Sequence, residues 1–375
     1  MIIEISTEMK IDLNIKDRWG NTAFHLACMK GPSDIAEMLM KNSSDLQIDL
    51  NAKNNNGLTA FNIACWKGHS EIAEIMMKNS SELKINLNSK DESGMTAFHV
   101  ACMKGHSQIA GIIMKKSSEL KVDLNIKGKW GKTAFHLVCC NGHSEIAEMI
   151  LKKSSDMKTD LNHKNNYGYT AFHGACFKGH LKIAEMTMEN SSELKINLNI
   201  KEKYGNTAFH LACDNGHSEI AEMMINNSSK LKIDLCSLDN EKCTAFHLAC
   251  YYGHLEVAEM ILENSSRLKM DLNGRDIDGY TAFHLACVFG HQKIAEMIMN
   301  HSSCLKIDIN APRKNGTTIF HSACTGFQSD NRTKLVKIII EWSERHKIDL
   351  TAKDQHGRNG YHIAESFKNT EVINL

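Results

Sequence analysis

The sequence predicts an all-α protein, a solenoid of stacked helix-turn-helix units with projecting β-turn or hairpin loops. Three observations lead to this prediction. A threonine recurs every 37 residues, each copy carries the same helix-start and helix-stop residues, and the copies together span nearly the whole chain. Such a period is typical of repeat proteins, in which one unit cannot bury its apolar face alone and must stack on its neighbours.

Each recurring threonine opens a TAFH-type tetrapeptide. These threonines are Thr22, Thr59, Thr96, Thr133, Thr170, Thr207, Thr244, Thr281 and Thr318. A tenth copy, Asn359–His362, follows after an insertion of four residues around 326–331. The phase predicts a remnant of a preceding repeat at residues 1–11, nine full repeats and a truncated tenth repeat at 349–375. The nine repeats are expected at 12–48, 49–85, 86–122, 123–159, 160–196, 197–233, 234–270, 271–307 and 308–348.

The copy at 197–233 shows the local physics of one unit. Thr207 is a good N-cap, and His210 stands three residues later, where a capping-box side chain reaches back. The residues that follow are apolar without a polar stripe, so this short helix should be covered on nearly all sides. Gly216 stops the helix. A second helix is predicted at Ser218–Asn226, ended by the NSS segment and followed by a short extended piece.

These residues resemble the ankyrin repeat. The family pattern G-x-TPLHLAA-xx-GH is matched by Gly205, Thr207–Cys213 and Gly216–His217, and the DLN triplets match the family's turn. Essentially all 375 residues are covered. The resemblance implies an ankyrin solenoid whose turn tips and first helices form a concave, partner-binding surface.

The chain departs from the family pattern in three ways. Alanine replaces proline after the threonine, which gives up a rigid helix start. The unit exceeds the usual ~33 residues, and the surplus in the NSS–LKI stretch is expected to lengthen an outer loop. Lys242 stands where the turn glycine belongs, so we expect a distorted turn at Glu241–Cys243.

Composition excludes several classes of protein. The 44 basic and 44 acidic residues balance, which argues against a nucleic-acid partner. Only 2 prolines are present, which argues against a disordered or collagenous chain. No apolar stretch approaches the ~20 residues that membrane insertion needs. Met1–Asn14 lacks the basic start of a secretory signal. We therefore expect a cytoplasmic protein with no nucleic-acid partner and no membrane insertion.

The cysteines agree with a reducing compartment. Thirteen are present, so they cannot all pair internally. Nine share the repeat phase: Cys28, Cys65, Cys102, Cys139, Cys176, Cys213, Cys250, Cys287 and Cys324. Their regular spacing indicates a structural repeat, and we expect them to act as small buried apolar residues.

Neither a catalytic centre nor a metal site is predicted. Pairs such as His210 and Cys213 recur on one helix, but zinc needs four convergent ligands, which parallel-stacked helices do not offer. A second histidine set directly follows a glycine and is expected to make helix-boundary hydrogen bonds, with a pH-sensing ladder as the alternative. This set is His69, His106, His143, His180, His217, His254 and His291. No phosphate-loop, nucleophile-elbow or zinc-protease motif occurs, and no cofactor is expected.

Differences between the copies indicate where a partner would bind. Two regions vary: the turn around the glycine, and the last two residues of the first helix. The chain has 4 tryptophans and 7 tyrosines, and nine of these residues fall in the two regions. Tryptophan and tyrosine are frequent binding hot spots, worth ~2 kcal/mol or more. The predicted partner-binding residues are Trp19, Trp130, Tyr167, Tyr169, Tyr204 and Tyr280 in the turns, with Trp66, Phe177, Tyr251, Tyr252 and Phe289 at the helix ends. The alternative is that several merely cover the neighbouring turn.

A line of lysines lies beside these aromatic positions, two residues after each DLN asparagine. Its members are Lys16, Lys53, Lys90, Lys127, Lys164 and Lys201. We interpret this line as a solvated edge in preference to a ladder for an acidic partner, because exposed ion pairs contribute only ~0–1 kcal/mol each.

The predicted function is a non-catalytic scaffold that binds a partner protein on its concave face, with no small-molecule ligand. The alternative is the recognition segment of a larger ankyrin-containing enzyme or cation channel. A third reading treats the DLN asparagines as substrates of an asparaginyl hydroxylase. Because the phase places both chain ends inside a second helix, we expect a piece of a longer protein, ends covered by something else, or an incomplete gene model.

Overall fold

The computed structural model describes residues 12–31, 33–325, 330–367 and 370–373. Across these residues the secondary structure is entirely helical, with no strand. The all-α prediction is therefore confirmed. The predicted remnant at 1–11 lies outside the described residues, as do positions 326–329 of the insertion and the last two residues.

The helices come in pairs, a short first helix and a second helix, and in the first eight pairs a glycine stands between the two. The first helices are Ala23–Lys30, Ala60–Lys67, Ala97–Lys104, Ala134–Asn141, Ala171–Lys178, Ala208–Asp214, Ala245–Tyr252, Ala282–Val288, Ile319–Cys324 and Gly360–Ser366. The second helices are Ser33–Lys41, Ser70–Lys78, Ser107–Lys116, Ser144–Lys153, Leu181–Glu189, Ser218–Leu231, Leu255–Leu268, Gln292–Leu305, Asp330–Glu341 and Thr370–Ile373. A short helix, Ser343–His346, follows the ninth pair, and a 3-10 turn lies at Lys129–Gly131.

The chain divides into two compact units, Met1–Ile196 and Asn197–Leu375. Within each unit, every first helix packs on the first helix of the next pair, and every second helix packs on the next second helix. The core of each unit is therefore a continuous stack of apolar layers.

A capping box starts each first helix, as predicted. Thr207 Oγ1 lies 2.8 Å from His210 Nδ1, which also accepts the backbone N–H of Thr207 at 3.4 Å. The other ring nitrogen, His210 Nε2, donates to the carbonyl oxygen of Cys243 in the next pair at 3.3 Å. In the second copy Asn62 takes the place of histidine and accepts the Thr59 N–H at 3.1 Å. The third position of the box thus starts one helix and ties it to its neighbour.

The recurring cysteines fill the interior, as predicted, and all nine are buried. Cys28 and Cys65 are free thiols, and burial raises the pKa of Cys28 to about 12. These thiols are therefore protonated and inert, as expected of packing residues. Methionines such as Met76 and Met224 are fully buried in the second helices, where they fill the same layers.

The predicted end of the second helix is wrong in the unit Asn197–Leu375. The helix continues to Leu231 instead of ending at Asn226. The hydroxyl of Ser228 donates to the carbonyl oxygen of Ile225 at 2.7 Å, but Ser80 and Ser191 make the same bond in Met1–Ile196, so this bond does not by itself account for the longer helix. It ends where Lys232 adopts a left-handed conformation, with φ of 53°. The surplus residues therefore form a further helical turn here and not an extended loop. In Met1–Ile196 the second helices do end before the serines, as predicted.

The DLN asparagines join consecutive repeats. Asn199 Nδ2 donates to the carbonyl oxygen of Lys232 at 2.8 Å, and its Oδ1 accepts the Asp234 N–H at 2.8 Å. The same pair of bonds forms at Asn14, Asn51, Asn88, Asn273 and Asn310. We call this row the asparagine ladder. At Cys236 a thiol replaces the amide and reaches only one acceptor, the Leu268 carbonyl, at 3.9 Å.

The turn at Glu241–Cys243 keeps the geometry of the other turns, so the prediction that Lys242 distorts it is wrong. Lys242 adopts the left-handed conformation of the glycine it replaces, with φ of 62°. Its N–H donates to the Asp239 carbonyl at 3.1 Å, as the Gly205 N–H donates to Glu202 at 3.0 Å. The Asp239 carboxylate accepts the Cys243 N–H at 2.7 Å and closes the turn.

The lysine line and the second histidine set also join repeats. Lys16 Nζ donates to the Lys53 carbonyl at 2.9 Å, and Lys53 Nζ repeats this bond to Lys90 at 2.7 Å. His69 Nε2 donates to the Met29 carbonyl of the preceding first helix at 3.2 Å. The prediction of helix-boundary hydrogen bonds is confirmed. The lysines are more than a solvated edge, because their ammonium groups satisfy carbonyls of the next turn.

Candidate protein-binding surface

Successive turns are held side by side by backbone hydrogen bonds, which aligns the side chains at their tips. In the unit Met1–Ile196, Asn166 N–H donates to the Trp130 carbonyl at 2.9 Å. The rings of Trp130 and Tyr167, at the same position of consecutive turns, stack with centroids 5.9 Å apart. Both remain open to solvent, at 50% and 44% exposure. The repeat period thus places exposed rings next to each other.

Basic side chains accompany the aromatic residues of Met1–Ile196. The guanidinium of Arg18 lies 3.8 Å from the Trp19 ring centroid, and Lys67 Nζ lies 5.0 Å from that of Trp66. Lys129 covers Trp130 at 5.5 Å, and Lys178 covers Phe177 at 5.0 Å. Such contacts are worth about 0.5–1 kcal/mol at exposed sites. This unit therefore presents an aromatic surface of positive character.

Two of the predicted binding residues in Met1–Ile196 pack mainly on neighbouring rings of their own chain. Tyr169 lies against His173 at 5.8 Å and against Phe177 at 6.5 Å, measured between ring centroids. Both Tyr169 and Phe177 are half-buried. For these two residues the structure agrees better with the alternative, in which the ring covers adjacent structure.

The unit Asn197–Leu375 gathers three aromatic residues at the ends of consecutive first helices. Tyr251 lies 4.7 Å from Tyr252 and 4.3 Å from Phe289, between ring centroids. His291 Nε2 donates to the Tyr251 carbonyl at 2.9 Å and fixes the spacing of the two helix ends. The three rings are nevertheless 39%, 51% and 41% exposed. They form a preformed apolar patch that the fold leaves uncovered.

This patch is one wall of a groove with a volume of about 330 Å³, which we call the aromatic-acidic groove. Its other wall consists of two consecutive turns. The lining residues are Asp239, Glu241, Cys243, His247, Leu248, Tyr251, Tyr252, Asp276, Asp278, Tyr280, Leu285, Val288 and Phe289. The volume lies near the lower end of the ~300–1,000 Å³ range of ligand pockets.

The four carboxylates of the groove have two different roles. Asp239 and Asp276 fold back on their own turns: Asp239 accepts the Cys243 N–H at 2.7 Å and Asp276 the Tyr280 N–H at 2.8 Å. Glu241 and Asp278 stand at the exposed tips. The ion pairs in the described part of the chain lie elsewhere, at Glu37–Lys41, Glu148–Lys152 and Asp354–Arg358.

Burial and the neighbouring carboxylates both affect the pKa of titratable groups in the groove. Burial raises the pKa of Asp239, and the charges of Glu241 and Asp276 act in the same direction. Burial likewise raises the pKa of Cys243 to about 12, with the carboxylates of Asp239 and Asp276 adding to the effect. A cation entering the groove would relieve this repulsion.

Tyr280 marks one end of the groove. The guanidinium of Arg313, from the next turn, lies 3.4 Å from the Tyr280 ring centroid. Tyr280 is half-buried beneath it, whereas Tyr204, one of the predicted residues in an earlier turn of this unit, is 62% exposed. The structure therefore brings Tyr251, Tyr252, Phe289 and Tyr280 together along one groove.

The sequence analysis missed the carboxylates of the groove. Four of the nine full copies place an aromatic residue at the turn tip, namely Trp19, Trp130, Tyr167 and Tyr204, but the seventh and eighth copies place Glu241 and Asp278 there. The signal was present in the comparison of copies. That signal is the appearance of an acidic residue at two consecutive turn tips.

The described residues include no group of three or more His, Cys, Asp or Glu side chains placed to hold a metal ion. The groove's carboxylates are therefore spread along a rim and do not converge on one point.

Among the residues that the structure describes, no helix is both long and apolar enough to cross a membrane.

The stacked helix pairs define a helical repeat protein whose turns project from one edge of each stack. The family model described as "Ankyrin repeats (3 copies)" matches the chain in overlapping segments from residue 2 to residue 354. The segments are 2–91, 45–124, 82–160, 113–198, 157–235, 187–270, 229–313 and 267–354. The chain belongs to the ankyrin-repeat family, whose repeats are protein–protein interaction modules. None of the curated proteins compared with the chain matches it.

Proposed function

We propose that this chain is a non-catalytic scaffold that binds a partner protein on its concave face, through aromatic residues of the turns and first-helix ends. The observation that carries the proposal is the contact cluster of Tyr251, Tyr252 and Phe289. Three touching rings that each stay about 40–50% exposed are a large apolar surface for a folded chain to leave open. Aromatic residues in this setting are frequent hot spots.

The cluster is also preorganised. The histidine bond to the Tyr251 carbonyl and the ring contacts fix its members before any partner arrives. A partner that covers the cluster loses little side-chain freedom in this chain, which favours tight binding. The free, buried thiols at positions such as Cys28 support a reducing compartment such as the cytoplasm.

The proposal is tested by replacing Tyr251 and Tyr252 with alanine together. Affinity purification with quantitative mass spectrometry is run on the parent, on this double variant and on the control Leu238→Ala. Leu238 is 43% exposed but does not line the groove. We expect a set of proteins that the parent and control retain and the double variant loses. Because the rings lie at the surface, circular dichroism and the melting temperature should stay near the parent values.

An identical protein set for all three chains would contradict the proposal. A double variant that fails to fold is recognised by its circular dichroism. In that case the single variants Tyr252→Ala and Phe289→Ala carry the test.

A further inference from the structure

The two units carry opposite chemistry at equivalent positions. In Met1–Ile196 the first helix often ends in a lysine, as at Lys30, Lys67, Lys104 and Lys178. In the seventh and eighth copies the same position holds Tyr252 and Phe289. At the turn tips, where Met1–Ile196 holds Trp19, Asn56, Ser93, Trp130 and Tyr167, these two copies hold Glu241 and Asp278. Both exchanges remove positive or neutral groups and leave an aromatic wall facing an acidic rim.

The rim is continuous across two turns. The Ile277 N–H donates to the Glu241 carbonyl at 2.9 Å, which holds the two turns side by side. The carboxylates of Glu241 and Asp278 therefore stand at neighbouring tips, next to the half-buried Asp239 and Asp276. The exposed pair has no ion-pair partner within the described residues. This negative charge is available to a ligand.

The cations of the neighbouring turns form no ion pair with the groove's carboxylates within the described residues. Lys314 Nζ donates to the Ile277 carbonyl at 2.9 Å. Lys242 lines a different cavity, beside Phe246. Arg313 occupies only the end of the groove, with its guanidinium over Tyr280 at 3.4 Å. That contact places a flat cation on a tyrosine face of the groove. Tyr251 and Tyr252 stay 39% and 51% exposed, and one face of Tyr252 stacks on His254 with ring centroids 6.2 Å apart.

The distribution of charge selects among kinds of ligand. A metal ion requires converging ligands, and the described residues offer no such group. An anion would be repelled by the four carboxylates. Positive charges spaced along a chain, each next to a ring, fit both the acidic rim and the aromatic wall. A guanidinium fits better than an ammonium, because its planar fork stacks on rings and pairs with carboxylates through two hydrogen bonds.

We propose that the aromatic-acidic groove binds an arginine-bearing segment of the partner protein, with guanidinium groups stacked on Tyr251 and Tyr252 and paired with Glu241 and Asp278. This inference rests on the proposed function and specifies its partner. It separates the groove from the aromatic residues of Met1–Ile196, which carry their own cations and would not attract a basic segment.

The test uses the full chain as bait for a random peptide library displayed on phage. Four chains are compared: the parent, Glu241→Gln with Asp278→Asn, the tyrosine double variant, and a control that changes Glu256 and Glu259 to glutamine. The control removes the same charge from exposed positions of the second helix Leu255–Leu268, away from the groove. Circular dichroism and melting confirm that each chain is folded.

We expect the peptides selected by the parent, and lost with the tyrosine double variant, to be enriched in arginine. Synthetic copies should bind the Gln/Asn rim variant about tenfold more weakly, as expected for the loss of two partly exposed ion pairs. The control should bind within twofold of the parent. Replacing the arginines of the peptide by glutamine should lose the binding, and lysine should restore only part of it.

Two outcomes overturn the inference in distinguishable ways. Peptides that need the tyrosines but lack arginine, or that bind the rim variant as tightly as the parent, refute the basic partner and leave the proposed function standing. A parent that selects no peptide dependent on Tyr251 and Tyr252 refutes the binding role of the cluster, and the inference falls with it.

Discussion

Single side chains do much of the joining between repeats, and the asparagine ladder shows this most directly. Each amide bonds one acceptor and one donor of the next repeat, because its Nδ2 donor and its Oδ1 acceptor are two separate atoms. The sequence marks these residues only as part of a turn motif. Their bonding becomes visible once the next repeat is in place, because both partners lie about one period away in the chain.

The ladder predicts that Cys236→Asn stabilises the protein. The new amide could donate to the carbonyl of residue 269 and accept the N–H of residue 271, as Asn199 does with Lys232 and Asp234. Two neutral hydrogen bonds at a partly exposed site should add about 1–2 kcal/mol to the free energy of unfolding. Urea denaturation followed by circular dichroism measures this.

Cys236→Ala is the matched control, since it removes the thiol and adds no hydrogen bond. It should leave the free energy of unfolding within about 0.5 kcal/mol of the parent. An asparagine variant no more stable than the alanine variant would show that the ladder bonds contribute nothing net at this position.

At the scale of the element, each turn must accept the backbone of the next turn against it. Gly205 has φ of 88°, and a Cβ there would lie 2.6 Å from the Asn240 backbone nitrogen. Gly357 has a similar φ of 74°, but a Cβ there would meet nothing within 4 Å. A turn glycine can therefore be needed for two reasons, a left-handed backbone and a close approach of the next turn. Both apply at Gly205, and only the first applies at Gly357.

We expect Gly357→Ala to lose only the cost of the left-handed conformation, about 1–2 kcal/mol. Gly205→Ala should lose more, because the turn of Asn240 must also move away and weaken its hydrogen bond to the Tyr204 carbonyl. Chemical denaturation of both variants, with the parent, gives the two differences. Equal losses would mean that the close approach is not a constraint.

Some of these elements could be predicted from the sequence and others could not. The first helices, their capping boxes and their buried cysteines could be predicted, because each depends on residues within one copy. The extension of the second helix to Leu231 could not, since Met1–Ile196 carries a similar serine-containing segment with the same serine bond and ends its second helices earlier. The turn at Lys242 was mispredicted because lysine can adopt the left-handed conformation at moderate cost. The aromatic positions were found, but the acidic rim that completes the groove needs two copies side by side.

At the scale of the whole molecule, the capping-box histidines recur in nearly every copy and make the free energy of unfolding depend on pH. The capping-box histidines are buried, and burial lowers their pKa, to about 4 for His99, His136 and His210. Lys201 lowers the pKa of His210 further, while the bond to the Cys243 carbonyl and the charge of Asp234 oppose the shift. In an unfolded chain each histidine returns to its ordinary pKa near 6.5.

Because the folded-state pKa is the lower one, the stabilising contribution is fully present above pH 6.5 and is lost as the pH falls towards 4. Between these pH values the histidines of the unfolded chain bind more protons than those of the folded chain. Each such histidine then changes the free energy of unfolding by up to about 1.4 kcal/mol per pH unit. With several copies, the melting temperature should fall steeply from pH 6.5 to pH 5, as thermal scans followed by circular dichroism can measure.

The chain itself supplies the variant that isolates this effect. Asn62 already forms a capping box without a titratable group, with Thr59 Oγ1 donating to its Oδ1 at 2.6 Å. His210→Asn should therefore still fold, and its free energy of unfolding should depend on pH with a slope lower by about one proton between pH 6 and 5. His356→Asn, which makes the same change at an exposed histidine outside the capping boxes, is the control for the substitution itself. A slope that stays unchanged in His210→Asn would move the acid sensitivity to other groups, the carboxylates first, because these also gain protons as the pH falls.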